Sequence, residues 1–231
     1  MYDSAKTAAT ALMIHLRGVR DRFYRSKDGA VLIGCDHEVK SADDARGLPW
    51  CSGADLAAPS WEAVKKSAAA DTIPRIDGPG AAMLFKADMA ASLLNVRKDF
   101  KDFDTWPADA QVAIMVLAMS GFGMKAKMAE ALFAGRFNEA ADHALVDYPQ
   151  SAATADYVSR LLRTAYVVGN TGQDQAKVWT ADLPESVAAF SLPCNPPEGK
   201  APTKKADDGL STGAKVGLAA AALGVLWLVT R

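Results

Sequence analysis

The stretch Trp106-Pro-Ala-Asp-Ala-Gln-Val-Ala-Ile-Met-Val-Leu-Ala-Met119 constrains the fold more than any other part of the chain. Its proline sits where a first-turn residue loses no hydrogen bond, and the residues after it are apolar nearly all round. A helix without a polar face has no side to turn to water, so other elements must enclose it. The C-terminal half supplies them. Ser120-Gly121-Phe122-Gly123 carries the glycines that helix ends favour. Residues 125–134 then spell a short amphipathic helix ending at Gly135, and residues 138–145 and 152–166 complete a helical cluster.

The N-terminal half is more mixed. Residues 5–24 read as a helix, with Ala9, Leu12, Met13 and Leu16 on one face and Gly18 marking a bend or end. Residues 24–34 read as a hairpin about Asp28-Gly29, a strong tight-turn pair in which Asp28 has a structural role. Residues 46–59 are loop-like in composition, and a helix is expected after Ser60, which can cap it, with Glu62 near its positive end. A break at residues 73–80 precedes a helix over 81–96. The expected class is α+β, mainly α: one globular domain over residues 1–192 with a small β-hairpin and no internal repeat.

Residues 193–213 form a linker rich in proline, glycine and charge, which cannot pack a core. Residues 216–229 carry no charge and lie between Lys215 and Arg231, whose heads can snorkel to two interfaces, while Trp227 suits an interfacial belt. The expectation is a C-terminal transmembrane anchor over 214–231, contacting the membrane through 216–229. Lys200, Lys204, Lys205 and Lys215 precede the run and only Arg231 follows it. With no secretory signal expected at the other end, this asymmetry assigns the globular domain to the cytoplasm or the interior of a particle, at the bacterial inner membrane or in a phage virion.

The 26 basic and 27 acidic residues leave no overall field to attract nucleic acid, and none is expected as a partner. Cys35, Cys51 and Cys194 have no zinc-ligand spacing, so neither a metal nor another cofactor is expected. Isolated cysteines are most often buried free thiols; a Cys35–Cys51 bridge requires an oxidising compartment.

Taken in order, these segments resemble the T-even-phage-type lysozymes, the muralytic family that cleaves the glycan strands of peptidoglycan. Tyr24-Arg-Ser-Lys-Asp-Gly-Ala-Val-Leu-Ile-Gly-Cys-Asp-His37 is similar to the family's hairpin and its Ile-Gly-x-Gly-His segment. Leu84-Phe-Lys-Ala-Asp-Met-Ala90 resembles the helix between the family's two lobes, and residues 106–115 its buried central helix. Residues 132–142 match its Leu-x-x-Gly-x-aromatic-x-x-Ala-Ala pattern, and Arg160 and Arg163 fall near basic positions of its last helix. The resemblance covers about residues 10–170 and rests on the order of individually weak motifs.

The resemblance implies a glycoside-hydrolase site, and the residues at the corresponding positions argue against one. The place of the acid glutamate is taken by Arg17, that of the hairpin aspartate by Ser26 and that of the hairpin threonine by Leu32. Such hydrolysis needs a carboxylic acid for the leaving oxygen, and an arginine cannot donate a proton near neutral pH. Asp21, Asp36 and Glu38 are the carboxylates that a shifted register offers, and His37 matches the family's structurally placed histidine. Arg17, Arg20, Arg22 and Arg25, with Lys27, form a basic cluster able to meet an anionic polymer, lipid headgroups or an acidic protein face. Trp50 and Trp61 read as a sugar-stacking lip or as satellite core.

The expectation is a catalytically degenerate, membrane-tethered lysozyme-like module of a phage particle or cell envelope that binds a protein partner or peptidoglycan glycan. An active muramidase or lytic transglycosylase using a carboxylate outside the family register is the alternative. A structural component of a virion or secretion apparatus is a further one.

Overall fold

The structure, a computed structural model, describes residues 1–26, 28–51, 61–70, 75–121, 123–184, 190 and 192. Among these lie eight α-helices and one three-stranded antiparallel sheet, an α+β fold that is mainly helical. No helix among the described residues is long and apolar enough to cross a membrane. The span expected at 216–229 and the linker before it lie outside the described residues.

Two compact units divide the chain: a helical unit of Met1–Leu16 and Met89–Val187, and a sheet unit of Arg17–Asp88 and Ala188–Ser211, each in its described residues. The helical unit holds α1 (Asp3–Arg17) but for its last residue, the second half of α4 (Gly78–Asp99), α5 (Ala108–Met119), α6 (Ala126–Phe133), α7 (Phe137–Asp147) and α8 (Ala152–Thr171). As its composition requires, α5 is buried at every residue from Ala108 to Leu117. Helix α8 packs on both α5 and α7, and α6 packs on α7. Leu161, Leu162, Ala165 and Val168 form part of the buried stripe of α8.

The sheet unit contains β1 (Arg20–Arg25), β2 (Val31–Gly34) and β3 (His37–Val39) in that order, with α2 (Ala42–Arg46), α3 (Trp61–Ala70) and the first half of α4. Tyr24 faces Leu32 across the first pair of strands, and Ile33 faces His37 across the second. Phe23, Ile33, Val39, Leu48, Val64, Ile76 and Leu84 are part of its core. Trp50 and Trp61 pack against that core, and Trp50 donates its ring N–H to the Ala45 carbonyl at 2.9 Å, so both belong to the satellite core.

Three sequence expectations need correction. Residues 20–24 are strand, because Gly18 takes φ +71° and ends α1, after which β1 finds its hydrogen-bond partners on β2. Strand β3 and helix α2 occupy segments for which no element was expected. The reading of isolated cysteines as buried thiols fails at Cys51, which is disulfide-bonded, while Cys35 is buried and stands outside any disulfide. The expected helices are present, with α4, α7 and α8 each longer than their apolar pattern indicates.

Candidate functional site

The candidate site is built around the connection between β2 and β3, where two residues, Cys35 and Asp36, reverse the chain. Asp36 takes φ +60°, a left-handed conformation that a short polar side chain tolerates better than a branched one. The turn aims its carboxylate at the end of α1. Arg17 Nη1 lies 3.4 Å from Asp36 Oδ2, and the two side chains are only 4% and 17% exposed. The Tyr24 hydroxyl donates to Asp36 Oδ1 and accepts the Asp36 backbone N–H at 3.1 Å. The Arg20 guanidinium lies over the Tyr24 ring, 4.1 Å from its centre.

Burial, and then the negative charge and hydrogen bond of Asp36, hold the Tyr24 hydroxyl well above the ordinary phenol range. The neighbouring Cys35 thiol is pushed up to about 12, chiefly by burial and then by Asp36. Both groups therefore stay protonated near neutral pH. This cluster presents a guanidinium, a carboxyl group that accepts a hydroxyl hydrogen bond, and two firmly held protons.

The other nominated residues have equally definite places. Ser26 closes the hairpin turn: its hydroxyl oxygen accepts the Ala30 N–H at 2.9 Å, and its backbone bonds Ala30 and Gly29. Leu32 is buried in β2. Asp21 faces Arg75 at 2.9 Å and Arg22 at 3.6 Å. Glu38 lies 3.9 Å from Lys40. His37 Nδ1 lies 3.0 Å from Asp88 Oδ2 on α4. Arg25 is exposed and donates to the Lys65 carbonyl at 2.8 Å; Lys27 lies outside the described residues.

The structure thus brings together Arg17, Arg20 and Asp36, and adds Tyr24, which the sequence placed in the hairpin without a role at a site. It separates Asp21 into a cluster with Arg22 and Arg75. Asp88 and Arg75 were missed altogether, because 51 and 54 positions separate them from His37 and Asp21 and no local spacing announces such pairs. A concavity of about 460 Å³ lies on the helical unit along the start of α7 and the end of α8, lined by Phe137, Asn138, Tyr166 and Asn170 among others. It contains none of the nominated residues. Among the described residues no group of three or more His, Cys, Asp or Glu side chains could hold a metal ion.

No protein-family model matches the chain, and no curated protein matches it.

Proposed function

We propose that this chain is a catalytically degenerate lysozyme-like module, tethered to a membrane by residues 214–231, that serves a phage particle or cell envelope by binding a protein partner or peptidoglycan glycan. The observation that carries the reading is the Arg17–Asp36 ion pair. At the position where the family resemblance calls for a proton-donating glutamate stands a nearly buried guanidinium, and the carboxylate beside it is engaged by that cation and by Tyr24. The other two carboxylates available near the hairpin, Asp21 and Glu38, also have cationic neighbours. A site of this kind binds through fixed charges and hydrogen bonds and leaves the glycosidic bond intact.

The full chain is expected to leave peptidoglycan uncleared in zymograms and turbidity assays across neutral pH, while Arg17→Glu combined with Asp36→Asn returns a carboxyl group to the position without a like charge beside it. Gain of even slow clearing by that double variant supports descent from an active site. Clearing by the unmodified chain that disappears in Asp36→Asn or Glu38→Gln would overturn the reading and establish the active hydrolase in its place.

A further inference from the structure

We propose that the concavity on the helical unit is a binding site for a neutral saccharide, held between the start of α7 and the last turns of α8. This goes beyond the lysozyme-like reading and does not rest on it: the lining residues all belong to the helical unit, whereas Arg17 and Asp36 belong to the sheet unit. At about 460 Å³ the concavity falls within the range of about 300–1,000 Å³ typical of small-ligand sites.

Helix α8 supplies a platform. Tyr166, Gly169 and Asn170 stand three and four residues apart and so share one face of the helix. Tyr166 is 46% exposed and offers an aromatic surface to solvent. Gly169 weakens the helix relative to alanine, yet a methyl group there would meet nothing within 4 Å, and its φ lies outside the left-handed region. Neither packing nor backbone conformation requires this glycine. What its missing side chain provides is room in the concavity beside Tyr166.

The polar groups are in complementary states. The Asn138 amide oxygen accepts from Arg163 Nη1 at 3.2 Å, so the groups it keeps for a ligand are its amide N–H donors. The Asn170 amide donates to the Tyr166 carbonyl at 2.7 Å and keeps its oxygen as an acceptor. The Tyr166 hydroxyl can serve either way. Charges nearby cancel in pairs: Arg136 Nε lies 2.7 Å from Glu139 Oε2, and Arg163 Nη2 lies 2.6 Å from Asp142 Oδ1. Charges so balanced give no preference to a phosphate or an acidic polymer. A pyranose ring matches what remains, because one of its faces is lined by C–H groups that lie on an aromatic ring, while its hydroxyls both donate and accept around the rim.

The test titrates the full chain, kept in a detergent without a sugar headgroup, with tri-N-acetylchitotriose and with maltotriose. Calorimetry measures affinity, and nuclear magnetic resonance follows the side-chain amides of Asn138 and Asn170. At least one saccharide is expected to bind with a millimolar Kd and to shift both amide signals. Tyr166→Ala should weaken that binding about tenfold through loss of the stacking surface. Gly169→Leu fills the concavity where nothing crowds it, so binding should vanish while the melting temperature does not fall. Arg17→Met should bind as the unmodified chain does, which keeps this outcome separate from that of the lysozyme-like reading. Failure of both saccharides at high-millimolar concentration would overturn the proposal. So would binding that survives both Tyr166→Ala and Gly169→Leu, or binding that Arg17→Met abolishes.

Discussion

The two units bury polar groups in opposite ways. In the helical unit, the polar side chains of α5 are satisfied mostly by backbone. Gln111, fully buried, accepts the Tyr2 N–H at 2.9 Å and donates to the carbonyls of Phe103 and Trp106, each at 3.1 Å. Asp109, equally buried, accepts the N–H groups of Trp179 and Thr180 at 3.0 and 2.8 Å and the Thr180 hydroxyl at 2.5 Å. In the sheet unit, charge is set against charge: Arg17 with Asp36, Arg75 with Asp21, His37 with Asp88. Backbone partners are fixed by the fold itself and serve a scaffold. Paired side chains leave charges that a ligand can compete for, and the nearly buried pair of Arg17 with Asp36 lies at the candidate site.

The largest effect is expected where the helical unit has no polar partner to offer. Met115 is fully buried on α5, so Met115→Asp places an unpaired charge in the core and should destabilise by more than about 4 kcal/mol, enough to unfold a marginal domain. Circular dichroism should lose the helical signal; an unchanged melting temperature would show that this position is not enclosed. Next comes Asp109→Ala, which strands three donors of residues 179 and 180 and is expected to cost about 2–4 kcal/mol. Hydrogen exchange at Trp179 and Thr180 should accelerate before that of α5 does, and equal acceleration everywhere would contradict the anchoring role.

A smaller loss is expected in the sheet unit from Arg17→Met, because Asp36 keeps its Tyr24 hydrogen bond and some access to water when the cation is removed. Destabilisation of about 1–3 kcal/mol is expected, and the double variant Arg17→Met, Asp36→Asn should recover much of it. Chemical denaturation of the four-member cycle measures the coupling. Strict additivity would remove the ion pair from any account of the site.

The difference between the units also decides what the sequence could convey. Helix α5 is legible because an all-round apolar segment after a proline has one physical solution, and α8 because its buried residues recur every three or four positions. Strand β1 is not legible: Phe23 is the one fully buried residue of its six, so alternation is nearly absent, and the register is irregular between Arg20 and Tyr24. Strand β3 and helix α2, three and five residues long, are too short to show a period. At the site, Arg17 could be nominated from the register of the resemblance and Asp36 only from a shifted one. Their pairing could not, since it arises only when Gly18 ends the helix and Asp36 turns its carboxylate back.

The smallest predicted effect separates the units by pH. In the sheet unit the Cys35 thiol is raised from 9.0 to about 12 by burial, and Tyr24 is raised above 10.0 for the same first cause. In the helical unit Tyr148 is raised from 10.0 to about 12, again mainly by burial, and its hydroxyl donates to the Gly123 carbonyl at 3.1 Å. Each group holds its proton longer in the folded chain than in the unfolded one. Its contribution is therefore complete below the unfolded value and is lost as pH rises toward the folded value, with a slope of at most about 1.4 kcal/mol per pH unit for each group. Between pH 9 and 10 only Cys35, among these three, has entered its window, so the sheet unit should weaken by about 1 kcal/mol while the helical unit holds. Above pH 10 both should weaken. Chemical denaturation followed through fluorotryptophan signals separates them, with Trp50 and Trp61 reporting the sheet unit and Trp106 and Trp179 the helical unit. Cys35→Ala should flatten the first interval for Trp50 and Trp61 and leave the fall above pH 10 in place. A fall between pH 9 and 10 that survives this substitution would mean that the buried thiol is not its cause.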